Sequence, residues 1–108
     1  MRVLLDECLP RKLKAELKEH EVRTVPEMGW ASIKNGALLK KAVGKFDVLL
    51  TVDQNILFQQ NLNDIDIAII ALVASSNRLA DLMPLMPLVR IQLSKIRPGM
   101  VIRVGAQP

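Results

Sequence analysis

The stretch Phe46–Val52, which reads FDVLLTV, is a nearly continuous apolar run that ends at Asp53. A second run of the same kind, Asp66–Val73 (DIAIIALV), follows it along the chain. Neither run alternates apolar and polar residues as a half-exposed strand would. Each therefore predicts a strand that is buried on both faces, as in a parallel sheet covered by helices. We place these two strands at the centre of the sheet.

Shorter segments on either side complete the predicted fold. Three further strands are indicated by apolar or β-branched runs that stop at an acid, stop at a proline or follow a Pro-Gly pair: Arg2–Leu5, Glu21–Val25 and Met100–Val104. Helical patterns separate the strands, and they begin at Pro10 or cover Gly36–Val43, Gln54–Gln60 and Leu79–Leu93. This alternation predicts an α/β fold with three layers, α/β/α, and a mostly parallel sheet of about five strands. The expected order is 2-1-3-4-5 with right-handed crossovers.

Length and composition fit one domain over residues 1–108, with half of the residues hydrophobic. Cys8 is the only cysteine and His20 the only histidine, so an internal disulfide and a zinc cluster are excluded. An early acid and the lack of a long apolar run predict a cytoplasmic protein without a signal peptide or membrane span. The net charge of +4 permits an RNA partner without indicating one.

Two aspartates follow the first and third predicted strands. Those strands are neighbours at the switch point of the expected topology, where such folds bind ligands. Asp6 and Asp53 are therefore expected to bring two carboxylates to one Mg²⁺ or Mn²⁺ ion, with Glu7 adding charge or orienting a metal-bound water. Such a site serves phosphodiester hydrolysis. Helix capping explains each aspartate separately, and this alternative remains open.

Other polar residues are weaker candidates. Asn77 and Arg78 follow the Asp66–Val73 strand at the same edge, where an arginine can hold a phosphate of the substrate. Glu27 and Asn35 flank the loop around Trp30 and are candidates for completing an acidic pocket, although both are common turn residues. Three lysines cluster around one helix end: Lys40, Lys41 and Lys45. A favourable interaction with the helix dipole explains them, and contact with RNA is the alternative. Cys8 and His20 have no partner for nucleophilic catalysis.

The order of three motifs resembles the small stand-alone PIN-like proteins of bacteria. The motifs are LLDECLP at residues 4–10, VRTV before MGW at residues 22–30, and FDVLLTVD at residues 46–53; the similarity extends to SNR at residues 76–78. The resemblance implies a PIN-like nuclease fold with acids around Mg²⁺ or Mn²⁺. It also implies the toxin component of a toxin-antitoxin pair, with RNA as substrate and an antitoxin protein as partner. By position, Asp6 and Asp53 match the metal acids and Glu7 the adjoining acid.

Two alternatives compete with a ribonuclease. The chain departs from the family pattern at Cys8, where Asn is frequent, and at Asn35, near which an acid is common. A catalytically inactive PIN-like binding module is therefore the first alternative. The second is a receiver-like phospho-acceptor domain, which also places acids after its first and third strands. Against the receiver, Gln54 and Asn55 follow Asp53 in place of Met-Pro, and Lys95 does not follow a strand.

The C-terminal third of the chain suggests a protein partner. Its helix is interrupted by prolines, which is expected to leave Met83, Met86 and Leu88 poorly protected in a small monomer. A homodimer or an antitoxin complex would cover these side chains.

Overall fold

A single five-stranded sheet, with the order β2-β1-β3-β4-β5, organises the chain in the computed structural model, which describes residues 1–33, 35–55 and 65–105. The strands are β1 (Arg2–Leu5), β2 (Glu21–Thr24), β3 (Val48–Thr51), β4 (Ala68–Val73) and β5 (Val101–Gly105). All neighbouring pairs are parallel. The predicted α/β class and strand order are confirmed. The helix predicted over Gln54–Gln60 falls mostly outside the described residues.

Short helices connect the strands. The described α-helices are α1 (Asn35–Ala42), α2 (Leu79–Leu82) and α3 (Met86–Leu93), and 3₁₀ helices span Arg11–Leu17, Pro26–Met28 and Met83–Leu85. The helix after Pro10 is thus a 3₁₀ helix, which begins without a side-chain cap or an acid in its first turn. Pro84 and Pro87 each stand at the start of a new helical piece, because proline lacks the N–H that a continuous helix would need. None of the described helices has the length and apolar character required to cross a membrane.

The alternation of side chains in the strands divides the core between the two sheet faces. In β3, Val48 and Leu50 belong to one apolar cluster and Leu49 to the other, and all three side chains are fully buried. The first cluster includes residues of the Arg11–Leu17 helix, α2 and α3, and the second includes residues of α1. Helices therefore cover both faces, which gives the three predicted layers.

The expectation of right-handed crossovers throughout is wrong for one connection. The Arg11–Leu17 helix and α3 lie on the same face, where Nη1 of Arg90 donates to the carbonyl oxygen of Glu16 at 3.0 Å. The chain crosses this face toward one edge from β1 to β2, and toward the other edge from β4 to β5. Two parallel connections that cross one face in opposite directions have opposite hands. The residues of α3 fill the part of this face that a seven-residue 3₁₀ helix leaves uncovered.

One of the side chains of α3 expected to be exposed, that of Met86, is buried. Met86, Val89 and Leu93 recur at helical spacing and pack toward the sheet, so Met86 is fully buried and its predicted exposure is wrong. Leu88 and Ile91 lie on the opposite side of α3 and are 48% and 54% exposed. Met83, just before α3, is also exposed.

At the N-terminal ends of the strands, the carboxylate of Asp47 connects β1 to the segment before β3. Oδ2 of Asp47 accepts the backbone N–H of Arg2 at 2.6 Å, and Oδ1 lies 3.5 Å from the Arg2 guanidinium. The backbone hydrogen bond from Arg2 and its positive charge hold the pKa of Asp47 below its usual value. The candidate site lies at the opposite end of the strands, beyond their C-terminal residues.

Candidate metal centre

Thr51 joins the two predicted site aspartates. It is the last residue of β3, and its side chain is completely buried. Its hydroxyl donates to Oδ2 of Asp6 at 2.6 Å and accepts the backbone N–H of Asp53 at 3.0 Å. The pairing of β1 with β3 explains this contact, because Leu5 lies opposite Leu50 and the next residues are Asp6 and Thr51. The carboxylate of Asp6 and the backbone of Asp53 therefore meet at one hydroxyl group.

The carboxylate of Asp6 shapes the turn after β1. Oδ1 accepts the backbone N–H of Glu7 at 2.8 Å, and the backbone carbonyl accepts the N–H of Leu9 at 3.0 Å. The next helix begins at Arg11, with Pro10 at the N-cap position and no side-chain cap. The interpretation of Asp6 as a helix cap is therefore wrong, because the helix starts well beyond the reach of this side chain.

Asp53 differs from Asp6 in this respect. Its Oδ1 accepts the backbone N–H of Asn55 at 2.9 Å, as the side chain of an N-cap aspartate does, and the helix predicted to follow lies mostly outside the described residues. Gln54 lies between Asp53 and Asn55. The NH₂ group of its side chain donates hydrogen bonds to the carbonyl oxygens of Val52 and Leu72, at 3.2 and 3.1 Å. These bonds hold the end of β3 against the end of β4.

Cys8 lies next to the same hydroxyl. Its Sγ is 4.0 Å from Oγ1 of Thr51. Burial raises the pKa of the Cys8 thiol, and the negative charge of Asp6 adds to the increase. The thiol is therefore protonated at neutral pH. Since the single hydroxyl proton of Thr51 points to Asp6, the S–H group is the donor toward Thr51.

Glu7 faces a different part of the molecule. Its Oε1 accepts the backbone N–H of Ser32 at 2.8 Å. Ser32 has a φ of 71°, in the left-handed region that non-glycine residues seldom adopt. Glu7 thus fixes the loop after Trp30, and this carboxylate oxygen is committed there.

The loop after β4 reaches the site through Asn77. Its side-chain nitrogen donates to the carbonyl oxygen of Cys8 at 3.0 Å, which ties the loop to the turn after β1. Arg78 is exposed at the start of α2, and its backbone N–H donates to Oγ of Ser76. Asn77 therefore positions the loop, while the Arg78 side chain stands at its surface.

Glu27 belongs to a capping box. Its Oε1 accepts the backbone N–H of Thr24 at 3.0 Å, and its own N–H donates to Oγ1 of Thr24 at 3.2 Å. Lys14 donates to the same Oε1 at 2.7 Å and is the main cause of the lowered pKa of Glu27. The turn-forming interpretation of Glu27 is thereby confirmed. Asn35, the other weak candidate, is the first residue of α1.

The donor atoms at the site suit a hard cation. Within residues 1–33, 35–55 and 65–105, no group of three or more His, Cys, Asp or Glu side chains is arranged to hold a metal ion. Asp6 supplies a carboxylate beside the hydroxyl and Asp53 a second one at the end of the neighbouring strand, and Mg²⁺ is often held by one or two carboxylates with water at its other positions. The oxygen chemistry therefore fits Mg²⁺ or Mn²⁺, with two protein carboxylates and not a full acidic set.

Thr51 and Gln54 were missed by the reasoning from sequence. Thr51 was treated as part of an apolar run, although a hydroxyl at the last position of a buried strand must find partners within the protein. That requirement was the available signal for Thr51. The reach of Gln54 to a neighbouring strand leaves no comparable trace in the sequence.

Comparison with known proteins gives no family assignment: no protein-family model, no curated protein and no solved structure matches this chain.

Proposed function

We propose that this protein is a PIN-like, metal-dependent endoribonuclease and the toxin component of a toxin-antitoxin pair. The Thr51 hydroxyl bonds both the carboxylate of Asp6 and the backbone N–H of Asp53, and this placement of the two aspartates carries the proposal. Two carboxylates at the ends of neighbouring central strands are the arrangement expected for a divalent ion beside a phosphate. The resemblance of the sequence motifs to PIN-like proteins supplies the reaction class.

In this proposal, Asp6 and Asp53 hold Mg²⁺ or Mn²⁺. A bound ion of this type supplies an activated water and stabilises the leaving oxygen of a phosphodiester. Thr51 fixes the orientation of Asp6 by donating to Oδ2, and Asn77 fixes the loop that carries Arg78. The exposed guanidinium of Arg78 binds a phosphate of the RNA at the rim of the site.

A specific observation favours the binding module as the second candidate. Among the described residues, the carboxylate bonded to the Thr51 hydroxyl is that of Asp6; Asp53 reaches this hydroxyl with its backbone N–H, and Glu7 is bonded to Ser32. A site with two acids binds a metal more weakly than a complete acidic set. A PIN-like domain that has lost catalysis would keep the same fold and partners.

The receiver-like alternative is less well supported. Lys95 follows α3 and precedes β5, so it does not stand at the end of a strand. In addition, α3 packs on the face that the Arg11–Leu17 helix occupies, which differs from a sheet with right-handed crossovers only.

The proposed partners follow from the surface of α3. Leu88 and Ile91 are about half exposed and lie near the exposed Met83. Covering these side chains in a homodimer or with an antitoxin removes apolar surface from water.

The decisive experiment compares amide variants of three aspartates. Asp6→Asn and Asp53→Asn keep the size and accepting oxygen of the side chain but remove its charge. We expect both to abolish Mn²⁺-dependent cleavage of single-stranded RNA, and to weaken Mn²⁺ binding in calorimetry, without loss of the fold. Asp66→Asn is the matched control, because Asp66 is exposed just before β4, at the other edge of the sheet. Absence of cleavage across varied RNAs, with Mn²⁺ binding equal in all four proteins, favours the binding module.

A further inference from the structure

The segment from α1 to β3 carries a group of positive charges without acidic partners. Lys40, Lys41 and Lys45 are all exposed, and α1 has no acidic residue. The ion pairs found among the described residues involve other cations, namely Arg2 with Asp47, Lys14 with Glu27 and Arg90 with Glu16. These three lysines, which we call the lysine patch, therefore present uncompensated charge to solvent.

Trp30 organises two of these lysines. The Nζ atoms of Lys41 and Lys45 lie 5.9 and 5.3 Å from the centroid of its ring. The ring is held edge-to-face against Phe46, with centroids 6.1 Å apart, and Trp30 is only 8% exposed. Each cation–π contact at an exposed site contributes about 0.5–1 kcal/mol, but two ammonium groups over one ring repel each other. A nearby anion would relieve that repulsion.

The chemistry of the patch points to a polyanion. An RNA backbone offers a series of phosphates, and lysine binds them as point charges. Bases cannot stack on the Trp30 ring, because neighbouring side chains cover it. A membrane surface is disfavoured for the same reason, since aromatic residues at such surfaces expose part of their ring to the lipid headgroups.

We propose that the lysine patch binds the backbone phosphates of single-stranded RNA, independently of base sequence and remote from Asp6 and Asp53. The choice of RNA rests on the proposed function. Lys45 precedes β3 and Asp53 follows it, so these two residues lie at opposite ends of the strand. β3 has four residues, so about 13 Å of strand separates these two ends.

The test measures binding without cleavage. Wild-type protein with a metal chelator is titrated with labelled oligouridylate, and affinity is read from fluorescence anisotropy at several salt concentrations. Lys41→Ala combined with Lys45→Ala removes two charges from the patch. Lys12→Ala combined with Lys18→Ala is the matched control, because it removes two exposed lysines on or next to the Arg11–Leu17 helix. Melting curves establish that both double variants are folded.

The expected result is a change in salt dependence. Loss of two phosphate contacts reduces the slope of log affinity against log salt by about 1.4, since each contact on a single strand contributes about 0.7. Between 50 and 200 mM salt, the wild type should thus lose about sevenfold more affinity than the patch variant. The control variant should keep the wild-type slope. Because Trp30 is the only tryptophan, its emission should change when RNA binds to the wild type.

Two results would overturn the proposal. One is an equal slope for the patch variant and the wild type, and the other is Trp30 emission that does not respond to RNA. The nuclease proposal fails separately. RNA binding that depends on Lys41 and Lys45, without any cleavage, rejects the nuclease and retains the patch. Cleavage that depends on Asp6, with an unchanged slope, retains the nuclease and rejects the patch.

Discussion

The hydroxyl oxygen of Thr51 lies 2.6 Å from Oδ2 of Asp6, and the Thr51 side chain is fully buried. The same oxygen accepts the N–H of Asp53 at 3.0 Å. One atom therefore sets the position of the carboxylate that follows β1 and of the backbone that follows β3. A shift in either strand end would be transmitted directly to the other.

Replacing Thr51 tests this link. Thr51→Val preserves the shape of the side chain but leaves Oδ2 of Asp6 and the N–H of Asp53 without their partner. Removal of one partner from a buried hydrogen bond costs about 1–3 kcal/mol, so the free energy of unfolding should fall by that amount. Chemical denaturation measures it. Mn²⁺ affinity should fall as well, because Asp6 loses its fixed orientation.

Thr51→Ser is the matched control for the valine variant. It retains the hydroxyl and loses only a methyl group, so it should recover most of the Mn²⁺ affinity. If valine and serine variants bind Mn²⁺ equally, the hydroxyl does not orient Asp6.

Alkylation of Cys8 reports on its proximity to Asp6. Burial raises the pKa of the thiol, and the charge of Asp6 contributes to the increase. Reaction with iodoacetamide at neutral pH should therefore be slower than that of a free cysteine, and should accelerate at higher pH as the thiolate forms. In Asp6→Asn, the pH at which half-maximal rate is reached should move downward. An unchanged pH profile in this variant would mean that the Asp6 charge does not act on Cys8.

The contact of Asp47 with Arg2 predicts part of the acid sensitivity of the fold. The pKa of Asp47 is lower in the folded state, mainly because of the backbone hydrogen bond from Arg2. Its contribution is fully present above the unfolded-state pKa of about 3.9, and is lost as the pH falls through the lower folded-state value. Asp47→Asn should lower stability near neutral pH by at most about 1 kcal/mol, since the carboxylate is partly exposed and screened. It should also flatten the decrease below pH 4, measured by thermal melts across pH; a parallel shift at all pH values would contradict the assignment.

The exposed side of α3 predicts the state of association. If Leu88 and Ile91 form a homodimer contact, light scattering should give a dimer for the wild type and a monomer for the Leu88→Glu/Ile91→Glu variant. The melting temperature of the monomeric variant should lose its dependence on protein concentration. Val43→Glu, at an exposed apolar residue after α1, should remain dimeric. A monomeric wild type excludes the homodimer.

The strands of this fold were predictable because their sequence pattern is dominated by burial. The apolar runs at residues 46–52 and 66–73 have no polar face, which leaves a central parallel strand as the arrangement that buries them. The meeting of Asp6 with the end of β3 also followed from strand order. That prediction needed only the rule that neighbouring parallel strands end at the same edge.

Other features depend on three-dimensional contacts that no local pattern contains. The bond between Glu7 and Ser32 requires the loop after Trp30 to return to the end of β1, and the ion pair of Glu27 requires Lys14 from another helix. The placement of α3 on the face of the Arg11–Leu17 helix was mispredicted, because the handedness rule is statistical and the burial of an uncovered apolar face overrode it. The prediction of a 3₁₀ helix would have required the final packing of Leu13 and Leu17.

The contact between Arg90 and Glu16 joins residues that are 74 positions apart. During synthesis, the apolar side of the Arg11–Leu17 helix thus remains without its neighbour α3 until residues 86–93 have left the ribosome. Contacts of such long sequence separation form late and slow folding, because the closure of a long loop comes before the gain from packing. For this period the nascent chain exposes Leu13 and Leu17 to water, and chaperones are the natural protection of such surface.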